Sequence, residues 1–401
     1  MSAGAGIAQV IPILSNVFLA VAIGAAQFGF FSLWLGIVYL GAVFSTLRLE
    51  NALFIEKQGT ARVQGMKAIV KVMVVPSLVG AFGLVALACM SPSTLPNLPL
   101  PLLSVFIPAA ALLGLNNTVQ AFVVSNGSYT LINKIRVLQA VSVALVQCFL
   151  VWKTPTAMSM AIGFVLGQAF CMMYAVIRLK GTLFFPSANC DPLSFTRRHW
   201  RFPAFSLPAD SLSSFGALLP VALVGSHYGA DAAGQIALTI RVLAAPVSLL
   251  GKAIQDVFKR EAVLEIAERG TCRQLYFIIV LALLPVVALF ILILQLLGPA
   301  GFVFLFGEDW SQAGDISRTL APVFGISLLA SPLSYIVYLV NRQHVDLFWQ
   351  AALVICVWFS LTQFSTLEEA VKVYAYVYTG MYLVSLVVSY RLCAFPCESR
   401  L

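Results

Sequence analysis

Apolar runs of about 20 residues recur along the whole chain, separated by short polar interruptions, and this pattern excludes a water-soluble fold. A run of that length is what one α-helix needs to cross the hydrocarbon core of a bilayer. Sixty per cent of the 401 residues are hydrophobic and only 10% are charged, against about 25% charged in a soluble domain. Allowing about 30 residues for each span and its connection, the chain holds about twelve spans. They are expected at 4–24, 28–48, 69–90, 100–124, 137–152, 157–177, 204–226, 233–255, 274–298, 316–340, 346–363 and 371–391. In lipid every backbone polar group needs an internal partner, so the fold class is all-α integral membrane. The polar stretches are too short for a fused soluble enzyme.

The distribution of Lys and Arg orients the spans. One set of alternate loops carries Lys57, Arg62, Lys67, Lys71, Lys134, Arg136, Arg178, Lys180, Arg197, Arg198, Arg201, Lys252, Lys259, Arg260, Arg269, Arg273, Arg342, Arg391 and Arg400. The other set carries Lys153, Arg318 and Lys372, and Arg48 and Arg241 fall in or beside spans. Both termini are therefore expected in the cytoplasm, with an even number of spans. No Lys or Arg precedes Arg48, so the first apolar run reads as a retained span rather than a cleaved signal peptide. The net charge of +8 follows from this inside bias and does not indicate a nucleic-acid partner.

The most polar interruption, 178–202, has six spans on each side. The expected organisation is two six-helix lobes, 1–180 and 203–401, joined by a cytoplasmic linker at 181–202. An internal echo agrees. Ile11-Pro12-Ile13-Leu14 precedes an expected turn at Phe28-Gly29, and Leu219-Pro220-Val221-Ala222 precedes one at Ala233-Gly234, an offset of 205 residues. Paired repeats of this kind, with a binding site between them, are a common plan of secondary transporters.

A charge near the bilayer centre costs about 2.5–3.5 kcal/mol on insertion scales, so charges kept there mark candidate sites. Arg48 and Glu50 lie at the inner edge of the second span, either facing the interior or snorkelling. Two positions apart on a regular helix, they point apart and each is expected to need its own partner. Asp210 sits beside Pro208 and is read as a proton or cation carrier or as a helix-start cap. Arg241 is the deepest charge, with none other between Asp231 and Lys252. It faces a cavity or pairs with a buried acid such as Asp210. Lys252 and Asp256 have the spacing to pair across one helical turn, or they form a solvated helix end.

No catalytic motif is present: no GxSxG, HExxH or P-loop. The eight cysteines and three histidines give no disulfide framework. Cys393 and Cys397 lack the further ligands that a zinc site needs, so no cofactor or metal is expected.

Three stretches carry a family resemblance. The first is Phe28-Gly29 followed by Leu47-Arg48-Leu49-Glu50-Asn51-Ala52-Leu53. The second runs from Arg201-Phe202-Pro203 through Leu219-Pro220, Tyr228-Gly229, Ala233-Gly234, Arg241 and Pro246 to Val257-Phe258. The third is Phe306-Gly307, Trp310, Ala313-Gly314, Leu320-Ala321-Pro322 and Ser331-Pro332-Leu333-Ser334, ending at Arg342-Gln343 and Trp349-Gln350. Together they resemble the Wzx-type oligosaccharide (O-antigen) flippases of the polysaccharide transport family. These belong to the multidrug/oligosaccharidyl-lipid/polysaccharide (MOP) exporter superfamily, with the multidrug and toxin extrusion (MATE) transporters and the lipid II flippase. Family members often carry an Arg seven residues before the Phe-Gly turn, where this chain has Val21.

The resemblance implies a two-lobe transporter in the bacterial inner membrane. It would flip a polyprenyl-pyrophosphate-linked oligosaccharide by alternating access, in contact with membrane lipids and polysaccharide assembly proteins. Arg241, Arg48 and Glu50 would line the substrate cavity and Asp210 would couple an ion. The competing reading is an exporter of small amphiphilic or cationic compounds, which predicts carboxylates rather than guanidinium in the cavity. A membrane-embedded polysaccharide polymerase would need a large outer loop, and the longest here is about 299–315.

Overall fold

A computed structural model describes residues 3–80, 100–183, 191–340 and 342–393. The far end of the expected span 69–90, and Cys89, Cys190 and Cys397, lie outside them. The helices are α1 (Ala3–Thr46), α2 (Thr60–Val72), a short α3 (Leu100–Ser104), α4 (Phe106–Ser125), α5 (Tyr129–Lys153), α6 (Ala157–Leu183) and a short α7 (Pro192–Arg198). They continue with α8 (Leu207–Tyr228), α9 (Ala230–Arg269), α10 (Arg273–Phe306), α11 (Ser311–Leu333), a short α12 (Ile336–Leu339), α13 (Gln343–Thr362) and α14 (Leu367–Leu392). Among the described residues, 11 helical stretches are long and apolar enough to cross a membrane. The first is two helices meeting at Gly24, which brings the spans to about the twelve expected. The protein is an all-α, multi-pass membrane protein.

The turn between the first two spans is corrected from Phe28-Gly29 to Gly24. Its partner moves from Ala233-Gly234 to Gly229. The offset of 205 is unchanged, and so is the conformation: Gly24 has φ 73°, ψ 171° and Gly229 has φ 94°, ψ 171°. This region of backbone space is accessible essentially to glycine alone. Phe28, by contrast, continues the helix and is fully buried.

Burial is arranged for lipid rather than water. Along α10 the large apolar side chains Leu281, Leu284, Leu289, Leu292 and Leu296 are exposed. Polar side chains such as Asn116, Gln168, Thr239 and Ser317 are buried. Lipid tails are as apolar as leucine, so helices associate through packing and internal hydrogen bonds instead of hydrophobic burial.

The chain divides into two compact units, Met1–Ser226 and His227–Leu401. The described part of the polar interruption, 191–202, and α8 up to Ser226 belong to the first. Asp191 caps α7 by accepting from the backbone N–H groups of Leu193 (3.3 Å) and Ser194 (3.1 Å). Phe195 of α7 is buried in the core beside Leu49, Leu53 and Met66.

In the second unit α11 is the central helix, packed against α9, α10 and α14. Gln235 of α9 ties it in place. Its side-chain amide donates to Asp309 O (2.7 Å) and accepts from Ala313 N (2.9 Å). Thr239, one turn on, donates to Ala313 O (3.0 Å).

Candidate functional site

The second half of α1 ends abruptly at Thr46. Leu47 (φ 50°) and Arg48 (φ 57°) are left-handed, without a glycine to ease the turn. A short 3-10 helix, Leu49–Phe54, follows. Each left-handed residue costs about 1–3 kcal/mol. Leu49 and Leu53 are fully buried just beyond, and their packing helps to hold the turn. The Thr46 hydroxyl accepts from Arg48 N (3.3 Å). Gly114 of α4 lets the two helices approach: a Cβ there would collide with Ser45 Oγ.

This break corrects the expectation for Arg48 and Glu50. On a continuous helix they diverge. Across the left-handed turn they converge, and Arg48 Nη1 donates to Glu50 Oε1 at 3.1 Å. Arg48 Nε donates to Asp210 Oδ2, on the first turn of α8. One guanidinium thus holds two carboxylates, all within the first unit. Burial, the largest influence, lowers the pKa of Arg48, but the bonds and charges of Asp210 and Glu50 outweigh it and leave the pKa above its ordinary value. The guanidinium is therefore a fixed positive charge.

The site carries two acids against one cation. Glu50 is only 4% exposed, and its second oxygen, Oε2, is buried with no hydrogen-bond partner among the described residues. The hydroxyl of Ser211, next to Asp210, is likewise buried and unpartnered among the described residues. A buried carboxylate oxygen facing no donor is costly unless it accepts a proton or a cation.

A second polar cluster lies one turn further on and was not singled out from the sequence. Glu56 Oε1 bonds His199 Nε2 (2.8 Å) and Arg198 Nη1 (3.4 Å). Buried Arg62 donates to Glu56 O through Nε (3.3 Å) and Nη2 (3.0 Å). Its Nη1 donates to Ser125 O and to Asn126 Oδ1 (3.2 Å), closing the C-terminal end of α4. The available signal was that Glu56 is the first acid in a loop otherwise rich in Lys and Arg. Arg62, read as a topogenic charge, is 6% exposed and holds this end of the unit together.

Arg241 is half-buried in α9 of the second unit. Lys252 and Asp256 are both exposed on that helix, and no ion pair joins them, so the helical-turn pairing gives way to a solvated helix end. Among the described residues no group of three or more His, Cys, Asp and Glu could hold a metal. Cys148, Cys171, Cys272, Cys356 and Cys393 are free thiols.

No family model and no curated protein sequence matches the chain. Solved structures do. The lipid II flippase MurJ, in an inward closed conformation, superposes with a TM-score of 0.70 at 12% identity, over 97% of this chain and 86% of that one. A MOP superfamily transporter from Pyrococcus furiosus gives 0.61 at 14%, over 97% and 93%. The Vibrio cholerae MATE transporter VcmN gives 0.57 at 12%, also over 97% and 93%. The chain has the fold of the MOP transporters. Several further matches of this fold are MATE structures.

Proposed function

We propose that the protein is a gradient-driven exporter of small amphiphilic or cationic compounds in the bacterial inner membrane, working by alternating access. The observation that carries this reading is the charge balance around Arg48. Two carboxylates share one guanidinium, and Glu50 Oε2 is buried without a donor among the described residues. A proton or small cation entering there neutralises the excess charge and lets Asp210 exchange partners. A cycle of this kind converts a cation gradient into movement of α8 against the end of α1. The repeated MATE matches support the same class of cargo. The lobes that alternate would be 1–180 and 203–401, joined through 181–202, with membrane lipids as the surrounding partners.

The experiment is uptake of a fluorescent lipophilic cation into inverted vesicles containing the protein. Uptake should require an imposed proton or sodium gradient. It should be lost in Glu50→Gln and Asp210→Asn at unchanged protein level.

A second reading, the flipping of a polyprenyl-pyrophosphate-linked oligosaccharide, is favoured by Arg241. A guanidinium at membrane depth suits a diphosphate, with its bidentate fork and permanent charge. The similarity to MurJ supports it. Here Arg241, Arg48 and Glu50 would be the substrate-binding residues, and polysaccharide assembly proteins would be the partners. Leaflet transfer of a labelled polyprenyl-pyrophosphate glycan in vesicles, lost in Arg241→Ala and impaired in Arg241→Lys, would select this reading over the first.

A further inference from the structure

The second unit contains a cavity of about 480 Å³ between the N-terminal parts of α11 and α14. Its charged lining consists of Asp315 and Arg318 from α11 and Glu368 and Lys372 from α14. Thr319 adds a hydroxyl, and Val371 is among the apolar residues. The Lys and Arg distribution assigns this end of the helices to the outer face. Cations are scarce there: Lys153, Arg318 and Lys372 are the three outer ones. Lys153 lies over the ring of Trp152 (4.6 Å), as interfacial snorkelling explains. The other two converge on one cavity.

The charges are only partly used. Lys372 Nζ bonds Glu368 Oε1 at 2.6 Å across one turn. Among the described residues, the guanidinium of Arg318 and the carboxylate of Asp315 have no ion-pair or hydrogen-bond partner. Both belong to α11, three positions apart and so on one face. The backbone there is fixed, since Gln295 Nε2 donates to Arg318 O (3.0 Å). The result is two cations and two anions around a roomy, half-apolar space at the level where helices leave the membrane.

We propose that this cavity binds a zwitterion that joins a primary ammonium to a phosphodiester, the chemistry of an ethanolamine phosphate headgroup. The phosphate is placed against Arg318 and Lys372, whose N–H donors make charge-assisted hydrogen bonds to its oxygens. The ammonium, with three N–H donors, is placed against Asp315 and Glu368. A purely anionic headgroup leaves both acids unanswered, and a trimethylammonium group has no N–H to offer them.

The test is binding to the purified full-length protein in detergent, read by native mass spectrometry and by thermal stabilisation. The probes are phosphatidylethanolamine, phosphatidylglycerol, phosphatidylcholine and soluble glycerophosphoethanolamine. Phosphatidylethanolamine should bind at least ten-fold tighter than the other two lipids and raise the Tm by a few degrees. Arg318→Gln should weaken both phosphatidylethanolamine and phosphatidylglycerol. Asp315→Asn should weaken phosphatidylethanolamine alone. Lys372→Gln repeats the first pattern should Arg318→Gln fold poorly. Competition by glycerophosphoethanolamine at similar concentration identifies a soluble zwitterion as the ligand, and its failure to compete identifies the lipid; both support the site. Equal binding of phosphatidylglycerol and phosphatidylethanolamine, or unchanged binding in Asp315→Asn, overturns it.

Discussion

Arg48 donates through Nε to the carboxylate of Asp210, 162 positions away in the chain. The bond ties the end of the second span to the start of α8. It works only because Leu47 and Arg48 turn left-handed, which swings the guanidinium toward Asp210 and Glu50 together.

Removing the cation should cost more than removing either acid. Arg48→Ala leaves Glu50 and Asp210 close together without a counter-charge, one of them deeply buried. A loss of about 3 kcal/mol is expected, seen as a lower Tm of the detergent-solubilised protein. The double variant Arg48→Ala with Glu50→Gln should recover much of that loss, and a thermodynamic cycle over the two positions measures the coupling. Purely additive effects would mean the pair is not energetically linked.

Gly24 and Gly229 have the same backbone conformation at an offset of 205 residues. Gly24→Ala and Gly229→Ala should each destabilise by about 1–3 kcal/mol, although neither position has an atom within 4 Å of the added carbon. Thermal melting of each variant checks this, with Gly80→Ala, a helical position with equally open space, as the control that should change little.

Phe195 is the anchor of α7. It is 2% exposed, so Phe195→Ala should cost about 3–5 kcal/mol. It should also raise protease cleavage within 191–202. An unaffected melting temperature would show that α7 is dispensable to the first unit.

Arg62, one of the inside-loop cations, is also a buried brace. Arg62→Lys keeps the charge but loses the fork that reaches Glu56 O, Ser125 O and Asn126 Oδ1. The substitution should lower the Tm by several degrees while membrane orientation, read by cysteine accessibility, is unchanged.

The spans were legible because hydrocarbon imposes a length on each of them, and the paired organisation was legible through an offset that the glycine turns preserve. The turns themselves were misplaced by five residues. Phe28-Gly29 resembles a turn in composition, but only the dihedral angles reveal that Gly24 carries the break. Helix ends were underestimated for a similar reason: α9 runs from Ala230 to Arg269, past the apolar window into a charged cytoplasmic-type end. Arg48, Glu50 and Asp210 were each visible as charges out of place. Their convergence was not, because Leu47-Arg48 has no glycine or proline to announce a helix break, and Asp210 is remote in sequence. The Glu56–His199 contact was hidden likewise, since α7 reads as a polar linker until Phe195 is seen in the core.

The most direct test is proton or sodium flux against cargo in vesicles holding the purified protein. Adding a lipophilic cation should release the coupling ion across the membrane in the wild type. Glu50→Gln with Asp210→Asn should abolish that release, with folding intact by thermal melting. Wild-type coupled flux in the double variant would contradict the role assigned to the two carboxylates around Arg48.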